Sequence, residues 1–334
     1  MADVSSPFIV DSTVENIGDA ATRLRDGRLV AFPTETVYGL GANATDDTAV
    51  ARIFEAKQRP AFNPLICHFD GLIAAETQVV FSDTARQLAQ AFWPGSLTLV
   101  LPRRPDCAIS RLASAGLETV AVRVPDHPTA TALLKDADRP IAAPSANRSG
   151  RLSPTRATHV FETLAGADVM IVDGGPCRVG IESTVVAIHD DGGVTLLREG
   201  GIVASDIAAI VGDDLRQPQS TRNASNDVPE APGMLAHHYA TAIPLRMNAH
   251  DTADDEFLVG FGPLPADRTE NAESLSPSGD LQEAAANLFA VLHAAEHSGC
   301  RAIAVSPVPN SGLGRAINDR LRRSAAASES RSRS

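Results

Sequence analysis

Aromatic side chains are scarce in this chain, at 4% of residues with a single Trp and two Tyr. Its core must therefore be aliphatic and Ala-rich. The 43% of hydrophobic residues among 334 are enough to bury one or two domains of ordinary size. No apolar run approaches the roughly 20 residues that a membrane-spanning helix requires. Cysteine is also sparse: Cys67, Cys107, Cys177 and Cys300 lie far apart, without the paired spacing of a zinc site or a short disulfide framework. Positive charge is in deficit. With 29 Lys and Arg against 41 Asp and Glu, the net charge is −12, the wrong sign for a protein that wraps nucleic acid phosphates. The first residues, Met1 to Phe8, carry neither a basic nor an apolar stretch of the secretory kind, so the expected location is cytoplasmic. Any phosphate chemistry must rest on a few concentrated bases.

What is present is an α/β rhythm. Apolar runs at 28–32, 65–68, 97–101, 120–124, 141–143, 170–173, 183–188 and 194–198 read as strands. They alternate with helix-like segments, one starting at the acids Asp46 and Asp47 and ending at Lys57 before Pro60. The expected organisation is a catalytic domain over 8–211, a linker with a lid-like patch over 212–244, a small α/β domain over 245–323 and a disordered tail over 324–334.

Five clusters carry residues suited to chemistry. In Phe32-Pro-Thr-Glu-Thr-Val-Tyr-Gly-Leu-Gly41, the residues Gly39, Gly41 and Ala44 match a dinucleotide fingerprint. In that fingerprint the first Gly follows its strand at once, whereas here Pro33 to Tyr38 intervene. A Gly-permitted turn presenting Thr34 and Thr36 fits better. The second cluster places Lys57 and Arg59 at a helix end, before Pro60, Asn63-Pro64 and His68, and so spends rigidity on a polar loop. The third is Thr119-Val-Ala-Val-Arg123, where alternation sets Arg123 inside an apolar strand. Such an Arg needs either an internal carboxylate or a bound anion. The fourth and fifth are Pro144-Ser-Ala-Asn147 with Ser153-Pro-Thr155, and Glu182-Ser-Thr-Val185 with Arg198-Glu-Gly-Gly201. Ser145 has no nucleophile elbow around it.

The order and spacing of these segments, with Trp93-Pro-Gly and Ala121-Val-Arg-Val-Pro125, resemble the YrdC family over some 190 residues. Pro232-Gly-Met234, His238-Tyr-Ala240 and Gly312-Leu-Gly-Arg-Ala-Ile-Asn-Asp-Arg-Leu321 are similar to its two-domain form. The chain departs from that form at Leu235, Ala236 and His237, and at Thr241, where the family usually has proline. The resemblance implies a YrdC-like twisted mixed sheet with flanking helices, followed by a smaller Rossmann-like α/β domain. It also implies condensation of L-threonine, bicarbonate and ATP to threonylcarbamoyl-adenylate and pyrophosphate, with Mg²⁺ held mainly by the ATP phosphates and no protein metal ligands. A downstream transferase would then modify tRNA beside the anticodon, so no stable direct nucleic-acid binding is expected.

Carried over by position, threonine is held by Thr36, His68, Arg123, Ala143 and Ser183. ATP is held by Lys57, Arg59, Asn63, Thr119, Ser145, Ser153, Arg198 and Tyr239, with Lys57 and Arg59 in the catalytic role. Two rivals stand beside this reading. His293-Ala-Ala-Glu296-His297 matches an inverted zinc-peptidase motif, but the third ligand would have to come from Asp319 or Glu329, and a solvent-facing helix end is the expectation. An RNA-binding module of the same fold is the other, and the acidic balance disfavours it.

Overall fold

A computed structural model describes residues 6–189, 191–216, 238–266 and 270–332, with 329–332 as backbone only. The larger unit begins with β1 (Phe8–Asp11), α1 (Val14–Arg25), β2 (Leu29–Phe32), β3 (Gly39–Asn43), α2 (Asp47–Lys57) and β4 (Ile66–His68). It continues with α3 (Leu72–Glu76), α4 (Asp83–Phe92), β5 (Leu97–Pro102), β6 (Thr119–Arg123), α5 (Pro128–Ala137) and β7 (Ile141–Ala142). It closes with α6 (Ala157–Thr163), β8 (Val169–Asp173), β9 (Thr184–Ile188), β10 (Val194–Arg198), α7 (Ala204–Val211) and β11 (Leu215–Arg216). The smaller unit comprises β12 (Leu245–Arg246), β13 (Glu256–Gly260), β14 (Ala272–Ser274), α8 (Leu281–His297), β15 (Ala302–Val305) and α9 (Leu313–Ser332).

The first eleven strands form one mixed sheet in the order β1-β8-β2-β3-β7-β4-β6-β5-β9-β10-β11. The last four form an all-parallel sheet, β12-β15-β13-β14. The fold class is thus the one the sequence implies. Local chemistry sets the boundaries that matter for the site. Asp46 caps α2 by accepting from the amides of Thr48 and Ala49. The helix ends with Gln58 in the left-handed region, φ 51°, while the Arg59 amide bonds back to the Phe54 carbonyl. That ending turns the chain sharply and aims Arg59 away from the helix axis.

Four segments differ from expectation. β3 was read as a turn because of its glycines, yet Gly41 is a strand residue: a Cβ there would meet the Phe32 ring at 2.8 Å and the Ile141 side chain at 3.0 Å. Neighbouring strands fill the space that a side chain would take. The assigned linker starts too early, since Leu215 and Arg216 extend the sheet beside β10. Its far end is not loose either, because Tyr239, Ala240 and Thr241 are buried and Ala240 bridges to Arg151. The expected disordered tail is instead the last part of α9, with Ser324 and Ala327 buried. The patch at 231–237 lies outside the described residues.

The two units share a core. Val37, Leu152 and Ile181 of the larger unit pack in one apolar cluster with Phe257, Leu288, Phe289, Leu292 and Ile317 of the smaller. His159 and His293 stack across the seam with ring centroids 4.0 Å apart. The zinc-motif segment faces solvent only in part: His297 is exposed, as expected, but its other ligand positions are not. His293 is buried, and Glu296 accepts from the Ala242 amide and pairs with Arg151. Gly180, at φ 72°, sits so close to α8 that a Cβ would run into the backbone of Ala285 and Ala286.

Gly180→Ala is therefore expected to lower stability by about 1–3 kcal/mol beyond its left-handed strain. Gly175→Ala, at φ 87° with nothing within 4 Å, should cost only that strain. Comparing the two variants by thermal unfolding checks this, and equal losses would mean the seam is not tightly packed there.

Candidate active site

The cavity at the seam is built from strand ends and the turns beside them. Its lining comprises Thr34, Thr36, Val37 and Gly39 from the β2–β3 region, Arg59, Ile66, His68 and Arg123, the turn Ala143-Pro144-Ser145, and Glu182, Ser183, Arg198, His238 and Tyr239. Nine of the residues singled out from the sequence meet here: Thr36, Arg59, His68, Arg123, Ala143, Ser145, Ser183, Arg198 and Tyr239. Lys57, Asn63 and Ser153 stand directly behind the lining, each through one hydrogen-bonded neighbour. Thr119 lies outside the lining, at the opposite end of β6 from Arg123 and on the same face.

Two cations define the electrostatics. Lys57 is buried at the C-terminus of α2, and its ammonium donates to the main-chain oxygens of Ser145 and Asn147. Arg59 donates through Nε to the Asn63 carbonyl at 3.3 Å and through Nη2 to the Pro64 carbonyl at 3.0 Å. Among the described residues neither makes an ion pair with a carboxylate. Burial, reinforced by mutual repulsion, pushes Lys57 well below the usual lysine range. Arg59 falls to about 10, through burial and then the nearby Arg198. Asn63, buried beside them, has neither its amide nitrogen nor its oxygen hydrogen-bonded. Buried positive charge without a counter-charge, next to an amide with open valences, is the signature of a site made for an anion.

Arg123 answers the question its strand posed. Its partner is an internal carboxylate: Nη2 pairs with Glu35 at 2.5 Å, while Nη1 donates to Thr36 Oγ1 at 3.0 Å and Nε to the Gly95 carbonyl at 3.1 Å. These bonds use three of its five N–H groups. Glu35 is locked in turn by Ser96 Oγ and the Asp126 amide. Burial pushes the Glu35 carboxyl up, but the charge and hydrogen bonds of Arg123 outweigh it and the net shift is downward. Beside this pair, His68 is buried with Nδ1 unpartnered. Burial and then Arg123 lower it to about 3, so it is a neutral imidazole. Ser183 Oγ bonds Thr98 Oγ1 at 2.7 Å and accepts from Arg198 Nη2 at 3.1 Å.

The seam side adds Glu182 and Tyr239. Glu182 accepts from Ser153 Oγ at 2.5 Å and from Arg320 Nε, a residue of α9, at 3.1 Å. Its burial opposes ionisation, yet Arg320 and then Arg198 hold its carboxyl at about 2. Tyr239, at φ 65°, is packed between His238, 4.1 Å between ring centroids, and Phe289, 5.5 Å. Sequence reasoning assigned no role to Glu35, Glu182, His238 or Arg320. Glu35 was findable, since it sits between the two threonines of its motif and Arg123 demanded a carboxylate. Arg320 was not, because a basic residue on a polar helix looks like every other.

Fold and cavity together define a two-domain α/β protein with a polar, partly cationic cavity at the domain seam. Residues 22–200 match the Sua5/YciO/YrdC model, described as telomere recombination, and residues 202–326 match the C-terminal domain of threonylcarbamoyl-AMP synthase. The threonylcarbamoyl-AMP synthase of Bacillus subtilis is 41% identical over 92% of this chain and 92% of its own length. The Pyrococcus abyssi enzyme of that name is 41% identical over 91% and 92%. A crystal structure of Pyrococcus abyssi Sua5 with L-threonine superposes with a TM-score of 0.85 at 38% identity, covering 97% of this chain and 98% of that one. The chain belongs to the Sua5/YciO/YrdC family, in the form that carries the second domain.

The depressed Glu182 titration has a stability signature. With a folded value of about 2 and an ordinary value of 4.5, ionised Glu182 favours the fold fully above about pH 4.5, and this contribution is lost as pH falls toward 2. Denaturant midpoints between about pH 5 and pH 3 should fall less steeply for Glu182→Gln than for the wild type. Parallel slopes would contradict the assignment.

Proposed function

We propose that the protein is an L-threonylcarbamoyladenylate synthase, an adenylyltransferase that condenses L-threonine, bicarbonate or CO2, and ATP. The products are threonylcarbamoyl-AMP and pyrophosphate. The observation that carries this reading is the pair of buried cations, Lys57 and Arg59, that lack a carboxylate partner among the described residues, set beside the neutral, Arg123-anchored threonine pocket. One half suits a triphosphate and the other a small amino acid.

The threonine amine attacks CO2, which bicarbonate yields by losing hydroxide. The N–C bond forms as one C=O π pair moves onto oxygen, and the nitrogen gives up a proton that combines with that hydroxide as water, leaving a carbamate. A carbamate oxygen then forms a bond to the α-phosphorus of ATP, and the bond from that phosphorus to the β-bridging oxygen breaks, with its electron pair leaving on pyrophosphate. No protein nucleophile is needed, so the chain's part is orientation and charge compensation. Lys57, Arg59 and Arg198 offset the negative charge that gathers on the phosphates, with Asn63, Ser145, Ser153 and Tyr239 completing the nucleotide contacts. The Arg123 N–H groups not used internally receive the threonine carboxylate, and Thr36, His68, Ser183 and the Ala143 main chain hold the rest. A neutral His68 accepts a hydrogen bond without adding charge beside the amine.

Among the described residues no group of three or more His, Cys, Asp or Glu is placed to hold a metal. Hydroxyl, amide and cationic donors fit phosphate oxygens, so Mg²⁺ would enter on ATP and supply further charge neutralisation there. The His238–Tyr239 segment serves as a lid over the nucleotide. No described helix is long and apolar enough to cross a membrane, and the working location is the cytoplasm. The product passes to a separate transferase acting on tRNA beside the anticodon. Cations buried in a cavity suit a small anionic ligand better than a polynucleotide backbone.

Pyrophosphate release should require both threonine and bicarbonate; release that persists without threonine would refute the assignment. Arg123→Ala would strand Glu35 as a buried charge, so Arg123→Lys is the better probe. It should raise the threonine KM about tenfold or more and leave the ATP KM near wild type, because lysine cannot reproduce the guanidinium fork. An unchanged threonine KM in the folded variant would contradict the role given to Arg123.

A further inference from the structure

The largest fully buried side chain among the described residues belongs to neither group of site residues. Arg320 projects from α9 of the smaller domain and is 0% exposed. Its Nε donates to Glu182 Oε2 at 3.1 Å, and its Nη1 to the Glu199 carbonyl at 2.6 Å and to Asp319 at 3.3 Å. The guanidinium carbon lies 5.7 Å from the centroid of the Tyr239 ring, and Nη2 has no hydrogen-bond partner. Burying an Arg so completely is costly unless its partners are fixed, and here the partners belong to three segments of the cavity wall. Glu182 precedes Ser183, Glu199 follows Arg198, and Tyr239 lines the same cavity as Ser183 and Arg198.

We propose that Arg320 is a positioning residue of the active site, supplied by the C-terminal domain, which neutralises Glu182 and ties the 182–183 and 198–199 segments to Tyr239. This rests on the reading that the cavity binds ATP. Its physical content is charge. Glu182 is a carboxylate on the wall of a site meant for a triphosphate, and an uncompensated carboxylate there repels phosphate and competes for Arg198. With Arg320 in place the pair presents no net charge, and Arg198 stays directed by its bonds to Ser183. Gly200 supports the same arrangement: a Cβ there would collide with the backbone of Glu182, Ser183 and Thr184, so the two segments are pressed together with Arg320 behind them. The smaller domain would thus act on nucleotide affinity rather than carry a ligand of its own.

The test measures ATP affinity directly, by equilibrium titration of the full-length chain with Mg²⁺-ATP, alongside kcat and KM for pyrophosphate release. Arg320→Gln is expected to weaken ATP binding about 10- to 100-fold. Glu182→Gln combined with Arg320→Gln removes both charges and is expected to recover affinity to within about fivefold of wild type, which loss of packing alone would not produce. Arg320→Lys, which keeps the charge, should also stay within about fivefold, with the remaining loss in kcat.

Normal ATP affinity in folded Arg320→Gln overturns the proposal. So does a double variant as weak as the single one, or a loss of tenfold or more in Arg320→Lys, and the Lys result decides the matter if the Gln variants do not fold. Failure of the wild type to bind ATP would instead refute the proposed function.

Discussion

The costliest feature of this interior is the burial of Lys57 and Arg59 without a carboxylate partner among the described residues. Desolvation of two neighbouring cations without a carboxylate between them is an expense that the rest of the fold must offset. The larger sheet and the shared core supply that support, and they hold the cations where water cannot screen them. The net charge of −12 belongs to the outer surface and says little about this interior. An acidic protein can thus carry a strongly positive cavity, because field strength at a site is set by local dielectric and spacing rather than by the sum over the chain.

The contrast between the two basic anchors of the cavity shows how burial sorts roles. Arg123 is matched to Glu35 and enters any reaction as half of a neutral pair with two N–H groups to spare. Lys57 and Arg59 are bonded only to neutral carbonyls among the described residues, and burial disfavours the charged form of both. A zwitterionic amino acid suits the first environment and a polyanion the second. The difference between the two environments follows from where carboxylates were placed, and where they were withheld.

Most of the fold was legible because apolar runs bounded by turn residues marked eight of the strands in the main sheet. What escaped notice had physical reasons. β3 is glycine-rich because Phe32 and Ile141 occupy its side-chain space, and no local pattern announces a strand emptied by its neighbours. β1 and β11 are short edge strands that take their conformation from the sheet they join. At the cavity, residues in compact motifs could be singled out, since Thr36, Lys57, Arg59, Arg123 and Ser183 sit within a few positions of a strand or helix end. Glu182 lay within such a motif but gained its meaning only from Arg320, 138 positions away. Pairings over that distance belong to tertiary structure and leave no trace in spacing.

The anchoring of Lys57 has a consequence for how this cavity tolerates change. Its ammonium is gripped by main-chain oxygens at positions 145 and 147, atoms that every amino acid supplies. Drift in the side chains of that turn leaves the grip intact as long as the backbone path survives, so the lysine's placement is inherited from chain geometry. Arg320 is tied differently: beside the main-chain oxygen of residue 199 it rests on the side-chain carboxylates of Glu182 and Asp319, which only an acidic residue could replace.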